Sequence, residues 1–514
     1  MTTKLAGSKP DNPSCGCCFG GRAGTMSVVR AYGDLLREHS VHAVLIVGCP
    51  LLVWFAMDHG RIGTMGVLGV LALVVGVYVG MRHPLWFYWG LAFALGALPF
   101  GYFPGVHVPV YLAFAFGAVL AAVVHPSARA HWSGVEVAVL VLVLVAAVSV
   151  VGGGLSLAGI VEFTKWATVT LAVIALLRLP RKNLKTFGRI FTYAATANAL
   201  FGIFMVVADR QQKSLSLFRI FGYGRDQDKP GQELGRFVFA DQGQIRYMRL
   251  GGTWIDPNAG GLCMVIALAI CLVVFEGWRR YCLAGILLFA ILLTLSRADI
   301  FTVVAGFLLV LVFHTMRARD RQMAIGTLLI LAAVAMIVPT VRIRIFSSFG
   351  SDDTGAGARA EALREFPNIM SGHWLFGLGW GRPEMKDGAL AFTLNYVSNT
   401  PLLTVYRGGI FTGLAFVAVM VVGCVVSYRL LRSPTYPAAM YGGLFIGVCF
   451  VALQLDHPVA SLPQIAMTFS LLLVFLVYSY QSIEPPPKVA PPLRRATDLP
   501  PAGRLAPHPQ ETHS

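Results

Sequence analysis

About fourteen long apolar runs decide what this chain can fold into. They fall near 41–57, 62–81, 86–104, 106–124, 135–152, 157–177, 187–208, 258–276, 280–296, 298–315, 323–341, 408–428, 439–455 and 462–480. As helices, such runs match a hydrocarbon layer ~30 Å thick. Inside lipid every backbone N–H and C=O needs a partner within the protein, which helices supply from their own turns. With 56% hydrophobic and only 13% charged residues over 514 positions, and a mean hydropathy of +0.68, the chain is too apolar for a water-soluble fold of this size. The expected fold is all-α, a polytopic transmembrane bundle of about 12–14 helices with a large outer loop between two late helices.

A formal charge of +16 in a soluble chain would point to nucleic acid. Here the basic residues sit mostly in connectors, where membrane orientation explains them, and no nucleic-acid partner is expected. With the N-terminus in the cytoplasm, the inner connectors hold Arg82, Arg129, then Arg178, Arg181, Lys182 and Lys185, then Arg279 and Arg280, then Arg317, Arg319 and Arg321, and finally Arg429 and Arg432. The short outer connectors hold only Arg61 and Arg297. Both termini are then cytoplasmic.

The expected organisation has a disordered cytoplasmic N-terminal tail over 1–40, N-terminal transmembrane helices over 41–208, and a first outer loop over 209–252. Transmembrane helices carrying the DPN and SR motifs follow over 253–341, then a large outer loop over 342–399, C-terminal helices over 400–480, and a Pro-rich cytoplasmic tail over 481–514. Translation from Met26 is an alternative reading of the N-terminal segment. Cys49, Cys263, Cys271, Cys424 and Cys449 lie inside apolar runs and Cys282 beside one, where cysteine acts as a small apolar residue rather than half of a disulfide framework. Cys15, Cys17 and Cys18 lack the spacing of a complete zinc site.

Both long hydrophilic insertions fall on the outer side and both are basic. The first holds Arg210, Lys213, Arg219, Arg225, Lys229, Arg236, Arg246 and Arg249; the second holds Arg342, Arg344, Arg359, Arg364, Arg382 and Lys386. Long translocated loops escape the positive-inside rule, so their charge reads as chemistry, suited to an anion. Two stretches bring such charge to the membrane edge: RLGGTWIDPNAGG at 249–261 and TLSRAD at 294–299. Arg297 has two readings, an anion ligand or an edge anchor that snorkels or pairs with Asp299. Asp256 and Pro257 also read as an ordinary helix start, with Asn258 in its first turn.

Guanidinium groups hold phosphate oxygens in a bidentate way. Several of them at the outer edge suit a lipid diphosphate whose apolar tail lies among the helices. Glu162 and Lys165, at i,i+3, read as a structural pair inside a helix. A transporter or flippase of a glycolipid or other anionic substrate is the alternative class, but internal repeats and paired broken helices are not evident. A structural scaffold would leave the outer arginines unexplained.

These residues carry a resemblance. The pattern R-x-G-G-x-x-x-D-P-N from Arg249 to Asn258, L-T-x-S-R from Leu293 to Arg297, an outer-loop arginine at Arg359, and W-x-x-G-x-G-x-G from Trp374 to Gly381 together resemble the O-antigen ligase and polymerase superfamily over about residues 245–425. The resemblance implies a bacterial glycosyltransferase of the cytoplasmic (inner) membrane, working in cell-envelope polysaccharide synthesis. It implies a polyprenyl-diphosphate-linked glycan donor, a glycan or glycolipid acceptor and a membrane lipid setting, with other envelope-synthesis proteins as further partners. The acceptor hydroxyl would attack the anomeric carbon with inversion. Arg249 and Arg297, with Arg359, would stabilise the leaving diphosphate in place of a metal, and no cofactor is expected.

Asp256, Asn258, Arg359, Arg364 and Trp380 are the expected substrate-binding residues. The chain departs from the ligase pattern at Ser398, which stands in the slot of a histidine, while Asn399, Leu402 and Gly409 fit. Ser398 and Asn399 are then expected to position the acceptor. His457, beside Asp456, is the expected proton acceptor, with His373 as a second candidate. The missing histidine favours a polymerase-like or atypical transferase over a lipid A-core ligase.

Overall fold

Prolines and polar caps mark where the apolar runs become helices. The computed structural model describes residues 60–104, 108–126, 131–209, 213–223, 238–241, 245–337, 363–382, 399–454 and 462–483, with isolated positions between 50 and 58. The chain divides into two compact units, Met1–Val77 and Tyr78–Ser514. Helix α1 (Gly60–Arg82) begins in the first. The second contains α2 (Leu85–Ala97), α3 (Val110–Val124), α4 (Gly134–Gly152), α5 (Leu157–Leu177), α6 (Arg181–Val207), α7 (Pro257–Val274), α8 (Gly277–Thr294), α9 (Arg297–Phe313), α10 (Ala318–Ile337), α11 (Thr400–Leu431), α12 (Tyr436–Gln454) and α13 (Pro463–Gln481).

Every predicted span from 62 onward coincides with one of these helices, and most of the run 41–57 lies outside the described residues. Among the described residues, eight helices are long and apolar enough to cross a membrane by themselves. The run 86–104 gives a shorter helix than expected because Pro99 ends it: α2 stops at Ala97, and the residue before a proline is pushed out of helical geometry.

The caps are of several kinds. Ser133 and Glu136 close a reciprocal capping box at the start of α4, and Ser156 accepts the Gly159 N–H at the start of α5. Asp256 caps α7 with proline in its first turn, and Asn399 does the same for α11. The predicted Glu162–Lys165 pair forms at 2.7 Å.

The bundle is organised around two helices. In α13 every residue from Gln464 to Ser479 is buried, and α7 is buried over nearly its whole length. A helix that is apolar all round has no solvent or lipid face to spare, so it becomes a central column. Tyr441 donates from α12 to the Leu472 carbonyl of α13 at 2.7 Å, and Tyr111 donates from α3 to Gln464 Oε1 at 3.3 Å. Where α9 crosses α12, glycines let the backbones meet. A β-carbon at Gly447 would stand 2.8 Å from the Thr302 carbonyl oxygen, and one at Gly443 2.5 Å from that of Gly306. This is the small-x-x-x-small device of membrane helices.

Opposite ends of the bundle have different chemistry. At one end Arg178 pairs with Glu136 at 3.4 Å and lies over Trp132. At the same end Lys185 pairs with Glu276 at 3.1 Å, Arg181 donates to Ser482, and Arg429 donates to Tyr480 Oη at 3.0 Å. These basic residues belong to the connectors predicted to be inner. The other end carries the motifs. The stretch predicted as a first outer loop is partly structured there. Lys213–Phe221 forms a 3-10 helix whose Leu215 packs with Leu98, Met205 and Tyr223, and Val238–Asp241 pairs antiparallel with Ile245–Met248 as β1 and β2, an addition to the all-α expectation. The hairpin delivers the chain directly to Arg249.

Candidate functional site

The first motif folds as a hooked approach to α7. Leu250 N donates to the Leu293 carbonyl at 3.0 Å, which stitches this approach to the end of α8. Gly252 has φ +59, and a β-carbon there would collide with Asn198 Oδ1, so only glycine fits. Thr253 is held from two sides: its N–H donates to Asn198 Oδ1 at 2.8 Å and its hydroxyl to the Ala97 carbonyl at 2.6 Å. Ile255 then takes φ 62, a conformation a β-branched residue adopts only when its surroundings compel it. Leu295, at φ 51, makes the matching turn between α8 and α9. Two non-glycine residues in left-handed backbone thus flank the place where the two motifs meet.

Arg249 is the centre of that junction. It is buried, its Nε donates to the Thr294 carbonyl at 2.7 Å, and its Nη2 donates to Asn258 Oδ1 at 2.6 Å. The fork therefore reads one group from each motif. Asp256 Oδ1 accepts the Asn258 N–H at 3.0 Å. Burial pushes the Asp256 carboxyl above its ordinary value, while the Asn258 hydrogen bond and the charge of Arg249 act in the opposite direction. Arg297 opens α9, half-buried, and Asp299 follows in the same turn, fully buried. Asp256 thus starts α7 as its reading as a helix cap expected, with the charge of Arg249 acting on its carboxylate.

The large insertion contributes a second construction. Segment 374–381 lies along a break in α11, where Gly409 adopts φ 78 and ψ 178. Leu378 N donates to the Tyr406 carbonyl at 2.7 Å, and Ile410 N donates to the Trp374 carbonyl at 2.8 Å, so the segment supplies partners that the broken helix lacks. Arg407 Nη1 donates to the Trp380 carbonyl at 2.8 Å. The glycines of the W-x-x-G-x-G-x-G element are there for proximity. A β-carbon at Gly377 would come within 2.6 Å of the Arg407 backbone, and one at Gly381 within 2.6 Å of Gly159 N.

The predicted site residues do not all come together. Arg249, Asp256 and Asn258 meet, and Arg297 is joined to them through the Thr294–Arg297 turn. Asn399 caps α11, accepting from Leu402 N at 3.0 Å, while its Nδ2 donates to the Leu453 carbonyl at the end of α12 at 2.7 Å. Because α9 and α12 run antiparallel through Gly306–Gly443 and Thr302–Gly447, the end of α12 is level with the start of α9. The Asn399 cap and Arg297 therefore share one end of the bundle.

Arg364 is exposed in a short helical stretch, and His373 is exposed in the turn that follows. Trp380, expected to touch substrate, is buried: its ring lies tilted against Trp166 with centroids 4.6 Å apart, its Nε1 donates to Ser149 Oγ at 3.2 Å, and its carbonyl accepts from Arg407. It anchors the large insertion to α4 and α5. Arg359, Ser398 and His457 lie outside the described residues. Sequence reading passed over Arg407, whose signal was available as an arginine inside the apolar stretch TVYRGGIF, and treated Asp299 only as a possible partner of Arg297.

Fold and site together define a polytopic membrane protein with an arginine–carboxylate cluster at one end of a helical bundle. Residues 282–417 match the family model described as O-antigen ligase, so this part of the chain is similar to that family. The match runs from α8 into α11. It includes Arg297, Arg364, Trp380, Asn399 and Arg407, and begins after Arg249, Asp256 and Asn258, which join the site through their contacts. No curated protein matches the chain.

Proposed function

We propose that this protein transfers or polymerises glycan from a polyprenyl-diphosphate-linked donor at the outer face of the cytoplasmic membrane, with inversion at the anomeric carbon. The observation that supports this most is the Arg249 junction, in which one guanidinium binds Thr294 and Asn258 and so brings two arginine-bearing motifs to one place. In the proposed reaction the acceptor hydroxyl oxygen bonds to the anomeric carbon. The bond from that carbon to the diphosphate oxygen breaks, its electron pair stays on the diphosphate, and the hydroxyl proton passes to a base. Negative charge therefore grows on the leaving diphosphate, where Arg249, Arg297 and Arg359 stabilise it. Asp256 and Asn258 hold the arginine end of the donor site, Arg364 extends it, and Asn399 with Ser398 positions the acceptor.

His457 is the proposed proton acceptor. With Ser398 in the histidine slot, chain extension or transfer to an acceptor other than lipid A-core is the favoured outcome. The proposed organisation keeps 209–252 and 342–399 outside and both tails, 1–40 and 481–514, in the cytoplasm. Reporter fusions after Arg82, Lys182, Arg280, Arg321 and Arg432 are expected to read cytoplasmic, and fusions within the two insertions to read external. A cytoplasmic signal from 342–399 overturns the outer-face chemistry.

Purified protein given a polyprenyl-diphosphate-linked glycan is expected to extend it or pass it to an acceptor. His457→Ala is expected to turn over more slowly at normal abundance. Translocation of the donor without transfer would favour the transporter reading.

A further inference from the structure

Asp299 is a charge without an assigned task. Its carboxylate is fully buried in the first turn of α9, two residues after Arg297, and neither oxygen accepts a hydrogen bond among the described residues. Gly261 of α7 lies directly against it: a β-carbon on Gly261 would overlap Asp299 Oδ2. The charged groups that face it are Arg249 and Asp256, with Ser296 as its polar neighbour. Ser296 Oγ is buried too and is the hydroxyl set against this carboxylate.

Burying a carboxylate is costly, and a buried acid lacking hydrogen bonds persists where a nearby charge or a task offsets the loss of water. The attracting charge here is Arg249, already tied to Thr294 and Asn258. The glycine opposite leaves the carboxylate room on that side and no more. Two helices and the approach to one of them thus converge on one electrostatic arrangement, with α7 supplying the space, α9 the acid, and the approach to α7 the arginine.

We propose that Asp299 is a positioning residue: it holds the Arg249 guanidinium, and through its own turn of α9 the Arg297 guanidinium, in the arrangement that receives the donor diphosphate. This rests on the reading of those arginines as diphosphate ligands. Asp299 does not touch the donor. It fixes what does, so its loss acts on transition-state stabilisation more than on initial binding, lowering kcat while KM changes little.

The test uses full-length protein in nanodiscs and three variants: Asp299→Asn, Gly261→Ala and the double variant. Asp299→Asn keeps shape and removes charge. Gly261→Ala keeps every charge and displaces the carboxylate, and because alanine favours a helix over glycine, any loss reflects the displacement. Each single variant is expected to lower kcat at least about tenfold with little change in KM, and the double variant to fall no further than the worse single one, since both act on the same carboxylate. Wild-type kcat in Asp299→Asn, or fully additive losses, overturns the proposal. So does a fall in thermal stability with normal turnover per folded molecule, which is what a merely structural acid would give.

A second readout, binding of undecaprenyl diphosphate without glycan, separates this proposal from the functional one. If wild type binds the diphosphate but transfers nothing, the transfer reading fails. Because the free diphosphate carries the charge that the leaving group acquires, the same cycle between Asp299→Asn and Arg249→Gln, read as its affinity, then decides the positioning role, with additive losses counting against it. Absence of both transfer and diphosphate binding in wild type overturns both.

Discussion

Arg249→Lys is expected to lower glycan transfer per folded molecule by about 10²–10³-fold, the range for losing one donor to a developing oxyanion, although the positive charge is kept. Arg249 uses Nε for the Thr294 carbonyl and Nη2 for Asn258, two bonds from a rigid planar fork. A lysine ammonium is a point charge on a flexible stem. If it reaches the carbonyl it leaves Asn258, and if it follows a phosphate it leaves both. Arg297→Lys is expected to show the same pattern. Arg319→Lys, exposed near the start of α10, is expected to stay near wild type. Initial rates with a polyprenyl-diphosphate-linked glycan, normalised to monodisperse protein, provide the check. Normal rates in both site variants remove the arginines from the chemistry and leave them as anchors of the bundle edge.

Gly409→Val is expected to be among the most destabilising single changes. The glycine sits at φ 78 and ψ 178, a region open essentially to glycine alone, and a β-carbon there would overlap the Leu375 carbonyl oxygen. Backbone strain of roughly 1–3 kcal/mol adds to an overpacking penalty of similar size, about 1–3 kcal/mol. Segment 374–381 can escape only by leaving the break in α11, which frees the Arg407–Trp380 bond and exposes Trp380. The expected result is a clearly lowered melting temperature, together with faster proteolysis after Arg382, read by gel and by Trp fluorescence. A valine variant with wild-type melting and cleavage would mean that the segment is not anchored by this break.

Much of the bundle was legible because apolar length is a one-dimensional property, and caps such as Ser133–Glu136 and Asp256–Pro257 are written in adjacent residues. The meeting of Arg249 with the SR motif was legible only as a resemblance. The bond that makes it joins residues 45 positions apart, and no periodicity reports on that. Asp299 was harder still. Two residues from Arg297, it reads as a simple ion-pair partner, and what sets it apart is Gly261 on another helix. Trp380 misled for a physical reason: an aromatic among glycines is as well suited to close backbone approach as to a sugar, and only its burial against Trp166 and Ser149 tells the two apart. Arg407 stands out in the sequence only as an arginine inside TVYRGGIF, because the Trp380 carbonyl that holds it is 27 positions away.

The deepest helix of the bundle is also the last of the described helices in chain order. α13 spans Pro463–Gln481, and its residues from Gln464 to Ser479 are all enclosed by helices made before it. Chains usually assemble from the N-terminus as they emerge. The faces of α5, α7 and α12 that pack on α13 gain that neighbour only once residue 481 has been made. Closure of the bundle around α13 therefore waits on the helix that comes after all its described neighbours in the chain.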